Sequence, residues 1–197
     1  MPLLCTPLLK NDDKSTKKSQ YTNVFGEKTL TLRTTLKFLR HQEMTKQEKY
    51  QEIIPQIQAL IEGEKEMMSV LANVSAVLKE RFGWFWVGFY LEREGELRLG
   101  PFQGTVACMH IAFDKGVCGT AFAQEKSIVV DDVELFPGHI ACSSLSRSEI
   151  VVPLFSTEGH PVGVLDIDST ELATFDETDR RYLEDICKII SQTLYAE

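Results

Sequence analysis

Three cysteines have the type and setting needed for redox chemistry: Cys108, Cys118 and Cys142 lie in the segments ACMHIAF, GVCGTAF and GHIACSS. A thiolate is a nucleophile, and two thiols that meet can cycle between dithiol and disulfide. None of the three belongs to a CxxC pair, and their spacings suit neither a zinc knuckle nor an iron–sulfur run. The pattern therefore indicates a redox group that assembles in space, although each cysteine could instead be an inert core residue.

Two of these cysteines have surroundings that could favour a thiolate. Cys118 stands near the start of a predicted helix, GVCGTAFAQ, with Lys115 close by, and both a helix N-terminus and a cation lower a thiol pKa. Cys142 lies in a loop of small polar residues, with His139 three positions before it and Arg147 five after. Local chemistry alone favours Cys118 as the nucleophile.

The other cysteines are assigned lesser roles. Cys108 falls on a predicted strand, 107–113, so it suits a partner thiol better than an attacking one. Cys5 lies in the N-terminal segment, and Cys187 is on the apolar side of the last predicted helix. We interpret Cys5 and Cys187 as non-catalytic.

A group of acids accompanies the cysteines. Asp166 and Asp168 in VLDIDS are two positions apart on a predicted strand, so both point to one face and Ile167 points to the other. Glu149, at the start of the preceding strand, could be a third member. Neighbouring carboxylates raise each other's pKa unless a cation separates them. They could be solvated acids at a strand end, a pocket for an ammonium group, or a protonated acid that donates a proton.

Aromatic residues could complete such a pocket. Trp86 and Tyr90 share one face of the predicted strand WVGFYL, and such residues usually belong to the core. Beside acids, the same face would form a cage for a small cationic or sulfur-bearing group. The histidines His110 and His139 form no pair of ligand spacing with each other or with a cysteine, so the sequence predicts no metal site.

The predicted elements that must position these groups make an α+β domain. Apolar residues from Ile53 to Ile61 recur at helical spacing, with Pro55 expected near the first turn, and a second helix should run from Met67 to Gly83. Two hairpins and two short strands follow, and a last helix begins after a capping signal at 174–176. We expect a central antiparallel sheet with the terminal helices on one face and a loop-covered ligand pocket on the other.

Composition limits the possible classes of function. The chain has 197 residues, 43% of them hydrophobic and 25% charged, with a net charge of −8 and no apolar run long enough to span a membrane. The acidic body is a poor partner for nucleic acid. Five cysteines, an odd number, suit a reducing compartment, so we expect a cytoplasmic protein. Residues 1–43 are basic and are predicted to be a disordered extension; a mitochondrial targeting leader is the alternative.

The chain resembles the free methionine-(R)-sulfoxide reductases, stand-alone enzymes with a GAF-domain fold. The resemblance covers about residues 48–195 and rests on several motifs in order: WVGFYL, LGPFQG, the cysteine segments, SEIVVPL and GVLDIDS. It implies that 44–197 is a single GAF-like catalytic domain. It also implies that Cys142 attacks the substrate and Cys108 resolves the intermediate, with Cys118 as an alternative partner or shuttle. This disagrees with the local preference for Cys118, and we follow the resemblance.

The implied reaction is the reduction of free L-methionine-(R)-sulfoxide. Cys142 would attack the substrate sulfur while Glu149, or the Asp166/Asp168 pair, protonates the sulfoxide oxygen. The resulting sulfenic acid would condense with Cys108, and a thioredoxin-type donor supplied ultimately by NADPH would restore the thiols, with no bound cofactor.

The resemblance also implies how the substrate is held. The carboxylates Glu149, Asp166 and Asp168 would bind its ammonium group, and Trp86 and Tyr90 would hold its methyl end. A homodimer formed through the terminal helices is expected by analogy with the fold. The competing hypothesis is a non-catalytic GAF module that binds a small ligand or senses redox state, but neither alternative explains the cysteines together with the acids and aromatic residues.

Overall fold

The computed structural model of the protein describes residues 44–196, and their elements agree with the α+β prediction. The basic extension, its alternative as a leader, and Cys5 lie outside the described residues. The four helices are α1 Lys46–Ile61, α2 Met67–Phe82, α3 Gly116–Gln124 and α4 Glu177–Tyr195. The six strands are β1 Trp86–Arg93, β2 Glu96–Gln103, β3 His110–Ala112, β4 Ile128–Val130, β5 Ser148–Phe155 and β6 Pro161–Ser169. Within the described part of the chain, no helix is both long and apolar enough to cross a membrane.

The strands form one antiparallel sheet in the order β3-β2-β1-β6-β5-β4. The hairpins β1–β2 and β5–β6 were both predicted, and they join through the pairing of β1 with β6 at the centre of the sheet. Because β1 and β6 are central, the side chains of these two strands define the middle of each face.

Helices α1, α2 and α4 cover one face of the sheet. Apolar residues of all three helices form a single core with the inward side chains of β1, β5 and β6, including Phe89, Ile150 and Ile167. A second, smaller cluster on the other face combines β-strand residues with Val117 and Phe122 of α3. The helix-covered core leaves that second face available for a pocket, as predicted.

The position predicted for Pro55 is wrong. Helix α1 begins at Lys46, and Pro55 lies well inside it rather than near its first turn. The start is set by a capping box in which the Thr45 side chain accepts a hydrogen bond from Glu48 N and the Glu48 carboxylate accepts one from Thr45 N. Apolar spacing detects only the buried part of a helix, so the polar first turns escaped detection.

The predicted limits of the other two long helices are confirmed. Helix α2 ends at Gly83, which adopts a left-handed conformation with φ 70° and donates a hydrogen bond to the Lys79 carbonyl. Helix α4 begins after Asp176, whose side chain accepts hydrogen bonds from the Thr178 and Asp179 amides. Glycine and aspartate are favoured at these respective positions, because glycine tolerates positive φ and aspartate satisfies free amides.

A buried carboxylate joins the first and last helices. Asp179 of α4 is fully buried and accepts hydrogen bonds from the Tyr50 hydroxyl, at 2.9 Å, and from the Lys46 ammonium. Burial opposes the charge on Lys46, but its hydrogen bonds to Asp179 and Asp176 outweigh that effect and raise its pKa. The three groups therefore satisfy one another at the α1–α4 contact.

Replacing Asp179 with alanine should lower the free energy of unfolding by about 2–3 kcal/mol, because the buried Tyr50 hydroxyl loses its partner. Urea denaturation followed by circular dichroism measures the change. Glu52→Ala is the matched control: it removes an exposed ion pair with Arg81, which should contribute less than about 1 kcal/mol. Equal losses in the two variants would contradict a structural role for the buried contact.

Candidate active site

A pocket opens on the face of the sheet opposite the long helices. Its floor comes from β1, β5 and β6, and its walls come from the start of α3 and from the loops around 105–107 and 139–146. Of the residues assigned to the site from the sequence, all but Cys108 line this pocket: Trp86, Tyr90, Cys118, Cys142, Glu149, Asp166 and Asp168. Cys108 packs against the apolar cluster beside it.

The carboxylates reach the pocket through strand alternation. Glu149 lies directly opposite Asp168 in the β5–β6 register, and Asp166 lies opposite Gly88 in the β1–β6 register. Ile167 points the other way, into the helix-covered core. The prediction that the two aspartates share a face, with Glu149 on the next strand, is therefore confirmed. Glu149 and Asp166 are each only 6% exposed.

Burial makes these acids hold protons more tightly than usual. It raises the pKa of both Glu149 and Asp166 well above the ordinary range, and charge repulsion within the group adds to the effect. Burial also raises the pKa of Asp168, to about 6, although a hydrogen bond from Ser146 opposes the rise. At neutral pH the pocket therefore contains an ionised Asp168 beside acids that can donate a proton.

The structure overturns the local argument for Cys118 as the nucleophile. The residue does lie in the first turn of α3, as predicted, but it is only 4% exposed and its Sγ is 3.9 Å from Glu149 Oε1. Burial raises its thiol pKa well above the ordinary value, and the charges of Asp166 and Glu149 raise it further. A thiol among acids stays protonated, because their charge outweighs the field of one short helix.

Cys108 and Cys142 are joined by a disulfide that closes a sequence separation of 34 residues. The prediction that Cys108 lies on a strand is wrong, because β3 begins only at His110 and pairs with just three residues of β2. The loop between β2 and β3 thus leaves the sheet before Cys108 and can reach the loop that carries Cys142. Both cysteines are partly exposed, in contrast to Cys118.

The cationic neighbours proposed for Cys142 behave differently from each other. His139 lines the pocket with its Nε2 3.9 Å from Glu149 Oε2, and burial lowers its pKa, which favours the neutral imidazole. Arg147 does not line the pocket. His110 is exposed on β3, where its Nδ1 lies 2.8 Å from Glu96 Oε1.

Trp86 and Tyr90 form an aromatic wall at the side of the pocket. The Trp86 ring is stacked between Phe102 and Tyr90, with centroids 5.3 and 6.0 Å away, and its Nε1 donates a hydrogen bond to the Thr105 carbonyl. Gly88 is required between them, since a Cβ there would come within 2.4 Å of the Trp86 ring. The indole is therefore fixed in place across the strand.

The structure adds contacts that sequence reasoning missed. The Tyr90 hydroxyl donates a hydrogen bond to the carbonyl of Cys108 at 3.1 Å, so the aromatic wall holds the loop that carries this cysteine. Ser146 reaches Asp168, and Ile140 covers one side of the pocket. Strand alternation could have suggested that Tyr90 faces the loops, but no pattern in the chain indicates the partner of its hydroxyl.

A disulfide whose Cys142 lines a pocket, together with the buried acids and the aromatic wall of that pocket, defines a redox domain that accepts a small polar ligand. Comparison with known proteins specifies the family. The family model described as GAF domain matches residues 63–194. The chain is 56% identical over 147 residues to GAF domain-containing protein A of Dictyostelium discoideum. The aligned region covers 74% of this chain and 92% of the relative.

Two further relatives carry a biochemical name. The free methionine-R-sulfoxide reductase of Escherichia coli is 43% identical over 152 residues, covering 77% of this chain and 92% of the relative. The X-ray structure of free methionine-R-sulfoxide reductase from Neisseria meningitidis in complex with its substrate is 54% identical with a TM-score of 0.75, covering 77% of this chain and 91% of that one. The chain belongs to the GAF-domain family, and its relatives include free methionine-R-sulfoxide reductases.

Proposed function

We propose that this protein reduces free L-methionine-(R)-sulfoxide to L-methionine. The observation that carries the proposal is that Cys142, which is joined to Cys108 in a disulfide, lines the same pocket as Glu149, Asp166 and Asp168. Two of the relatives described above, from Escherichia coli and Neisseria meningitidis, are named free methionine-R-sulfoxide reductase, which supports the proposal.

In the first step the Cys142 thiolate attacks the substrate sulfur. A protonated acid, Glu149 or Asp166, transfers its proton to the sulfoxide oxygen, and the raised pKa of each acid keeps that proton available near neutral pH. The attack forms a bond between Cys142 Sγ and the substrate sulfur. The hydroxyl group then moves from the substrate sulfur to Sγ, which becomes a sulfenic acid, and the sulfur–sulfur bond breaks with its electron pair staying on the sulfur of the released methionine. Cys108 then displaces water from the sulfenic acid and forms the disulfide.

The pocket also accounts for recognition of a free amino acid. The ionised Asp168 and its acidic neighbours would bind the substrate ammonium, and Trp86 with Tyr90 would contact the methyl end. A peptide-bound methionine sulfoxide has an amide in place of the ammonium. Such a ligand would leave the ionised Asp168 without a cation, and this mismatch is costly.

The affinity for the product L-methionine should fall as the pH drops below the Asp168 pKa of about 6, because the neutral acid no longer pairs with the ammonium. Between pH 7 and pH 5 the ionised fraction falls about tenfold, and we expect the Kd to rise by a similar factor. Isothermal titration calorimetry across this range measures it. Asp168→Asn should bind more weakly at pH 7 and show a flatter profile, whereas a flat profile in the unmodified protein would refute the role of Asp168.

The regenerating step is proposed to use a thioredoxin-type dithiol, ultimately supplied by NADPH. In support, the residues beside the disulfide are accessible and apolar: Val106 is 86% exposed, Met109 is 72% exposed and Ile140 is 40% exposed. A protein donor needs such a surface to place its thiolate in line with the disulfide. We also propose a homodimer, by analogy with the fold. We propose a cytoplasmic location because the odd number of cysteines suits a reducing compartment.

The function is tested by an epimer-resolved assay. Purified protein with thioredoxin, its reductase and NADPH should turn over free L-methionine-(R)-sulfoxide, and should leave the S epimer and a sulfoxide-containing peptide unreacted. Replacing the thioredoxin system with dithiothreitol separates the reductase from its donor: turnover with dithiothreitol alone would reject thioredoxin but keep the activity. No turnover with either donor, or equal turnover of both epimers, would refute the reductase and favour a ligand-binding module.

A further inference from the structure

Three metal-ligating groups from different elements meet at the base of the pocket. Cys118 of α3, Glu149 of β5 and Asp166 of β6 each place one sulfur or oxygen within 4.8 Å of the others, and all three residues are buried. The sequence predicted no metal site because cysteine and histidine spacing was the criterion. This cluster instead takes its ligands from three separate segments, and two of those ligands are carboxylates.

The cluster lacks a compensating cation. Among the described residues, no lysine or arginine forms an ion pair with Glu149 or Asp166, and the imidazole of His139 at 3.9 Å is the nearest basic group. Asp166 is 94% buried, since only 6% of it is exposed, and its Oδ1 has no hydrogen-bond partner. A buried acceptor without a partner is rare in proteins, and a bound cation is one of the groups that would satisfy it.

The donor set selects the kind of ion. One sulfur and two carboxylate oxygens suit a borderline-soft divalent ion such as Zn²⁺, whereas Mg²⁺ and Ca²⁺ prefer oxygen alone. Tetrahedral zinc, with bonds of about 2.0–2.3 Å, holds neighbouring ligand atoms roughly 3.5 Å apart. The Cys118 Sγ to Glu149 Oε1 distance of 3.9 Å is therefore close to what binding requires. Three protein ligands also leave a fourth position open to water.

We propose that Cys118, Glu149 and Asp166 form a binding site for Zn²⁺, and that the ion excludes the amino-acid substrate from the pocket. The second part rests on the proposed function, because Glu149 and Asp166 are also the groups assigned to the substrate ammonium. One cation or the other can occupy them, so the metal acts as a competitive inhibitor. This also assigns Cys118 a role as a metal ligand, separate from the disulfide exchange.

The metal site is tested on the full-length, oxidised protein, in which the Cys108–Cys142 disulfide keeps those thiols out of the measurement. A Cys5→Ser background removes the thiol of the N-terminal segment. Co²⁺ should bind with a thiolate-to-cobalt absorption band, and Zn²⁺ should displace it at one equivalent. Cys118→Ser should lose the band, and Cys118→Ser and Asp166→Asn should each weaken Zn²⁺ binding by about 10–100-fold. Cys187→Ser, whose thiol is buried against the helix-covered core, should bind as the parent does.

The outcomes separate the metal site from the reductase activity. A cobalt band that survives Cys118→Ser, or Zn²⁺ binding that is unchanged in Asp166→Asn, would overturn the site, as would Mg²⁺ binding as tightly as Zn²⁺. Saturating L-methionine should raise the apparent Kd for Zn²⁺; independent binding would overturn the exclusion. Because metal binding is measured without turnover, a protein that binds Zn²⁺ but reduces no sulfoxide would refute the proposed function alone.

Discussion

Replacing Cys142 with serine is expected to abolish methionine release, even in a single turnover. A serine hydroxyl is not ionised at neutral pH and cannot accept the oxygen as a sulfenic acid, so the reaction loses its first step. We expect the rate to fall by at least about 10³-fold. The reduced enzyme is mixed with free L-methionine-(R)-sulfoxide in excess over enzyme, without a donor, and methionine is quantified by chromatography.

Cys187→Ser is the matched control for the Cys142 substitution, because it removes a buried thiol on the opposite side of the sheet. It should release methionine as the unmodified enzyme does. Circular dichroism spectra and calorimetric binding of L-methionine confirm that the Cys142→Ser protein retains its fold and pocket. Methionine release by Cys142→Ser at a rate within tenfold of the parent would show that another thiol attacks the substrate.

Replacing Cys108 with serine should permit one turnover and then stop the enzyme. Cys142 can still attack and become a sulfenic acid, but the thiol that condenses with it is missing. About one equivalent of methionine should appear per enzyme, and the thioredoxin-coupled steady-state rate should fall by at least about 100-fold, because the donor must then reduce a sulfenic acid instead of the disulfide. A sulfenic-acid probe should label Cys142 in this variant, as mass spectrometry would show.

Cys118→Ser is the comparison that decides the resolving thiol. Cys118 is buried beside Glu149 and is not part of the Cys108–Cys142 disulfide, so we expect this variant to continue turning over with thioredoxin. If Cys118→Ser stops after one equivalent while Cys108→Ser continues, the assignment of Cys108 as the resolving residue is wrong.

The alternation of side chains along β-strands was sufficient to predict which residues face the pocket. The placement of Glu149, Asp166 and Asp168 on one face follows from the two-residue period of β5 and β6, and that of Trp86 and Tyr90 follows from the same period in β1. Period is a local property, so a single sequence reveals it. The same holds for the capping residues of α4 and the glycine at the end of α2.

The predictions that proved wrong depend on contacts between different secondary-structure elements. Cys118 was expected to be reactive because a helix N-terminus is visible in sequence, whereas the acids that surround its thiol come from two distant strands. Cys108 was placed on a strand because ACMHIAF has strand composition, although only three residues find partners on β2. Burial and loop paths depend on tertiary contacts, which local composition does not encode.

The β5–β6 register has a consequence for how this protein tolerates change. Glu149, Asp166 and Asp168 face the pocket while Ile150 and Ile167, their immediate neighbours, enter the helix-covered core. An insertion or deletion of one residue in either strand would exchange the two faces, so that carboxylates would enter the hydrophobic core and isoleucines would enter the ligand pocket. Length changes in these strands should therefore lower the amount of folded protein in the cell, rather than lower the catalytic rate of a folded enzyme. Substitutions at the pocket positions alone are the changes through which natural variation can alter the chemistry.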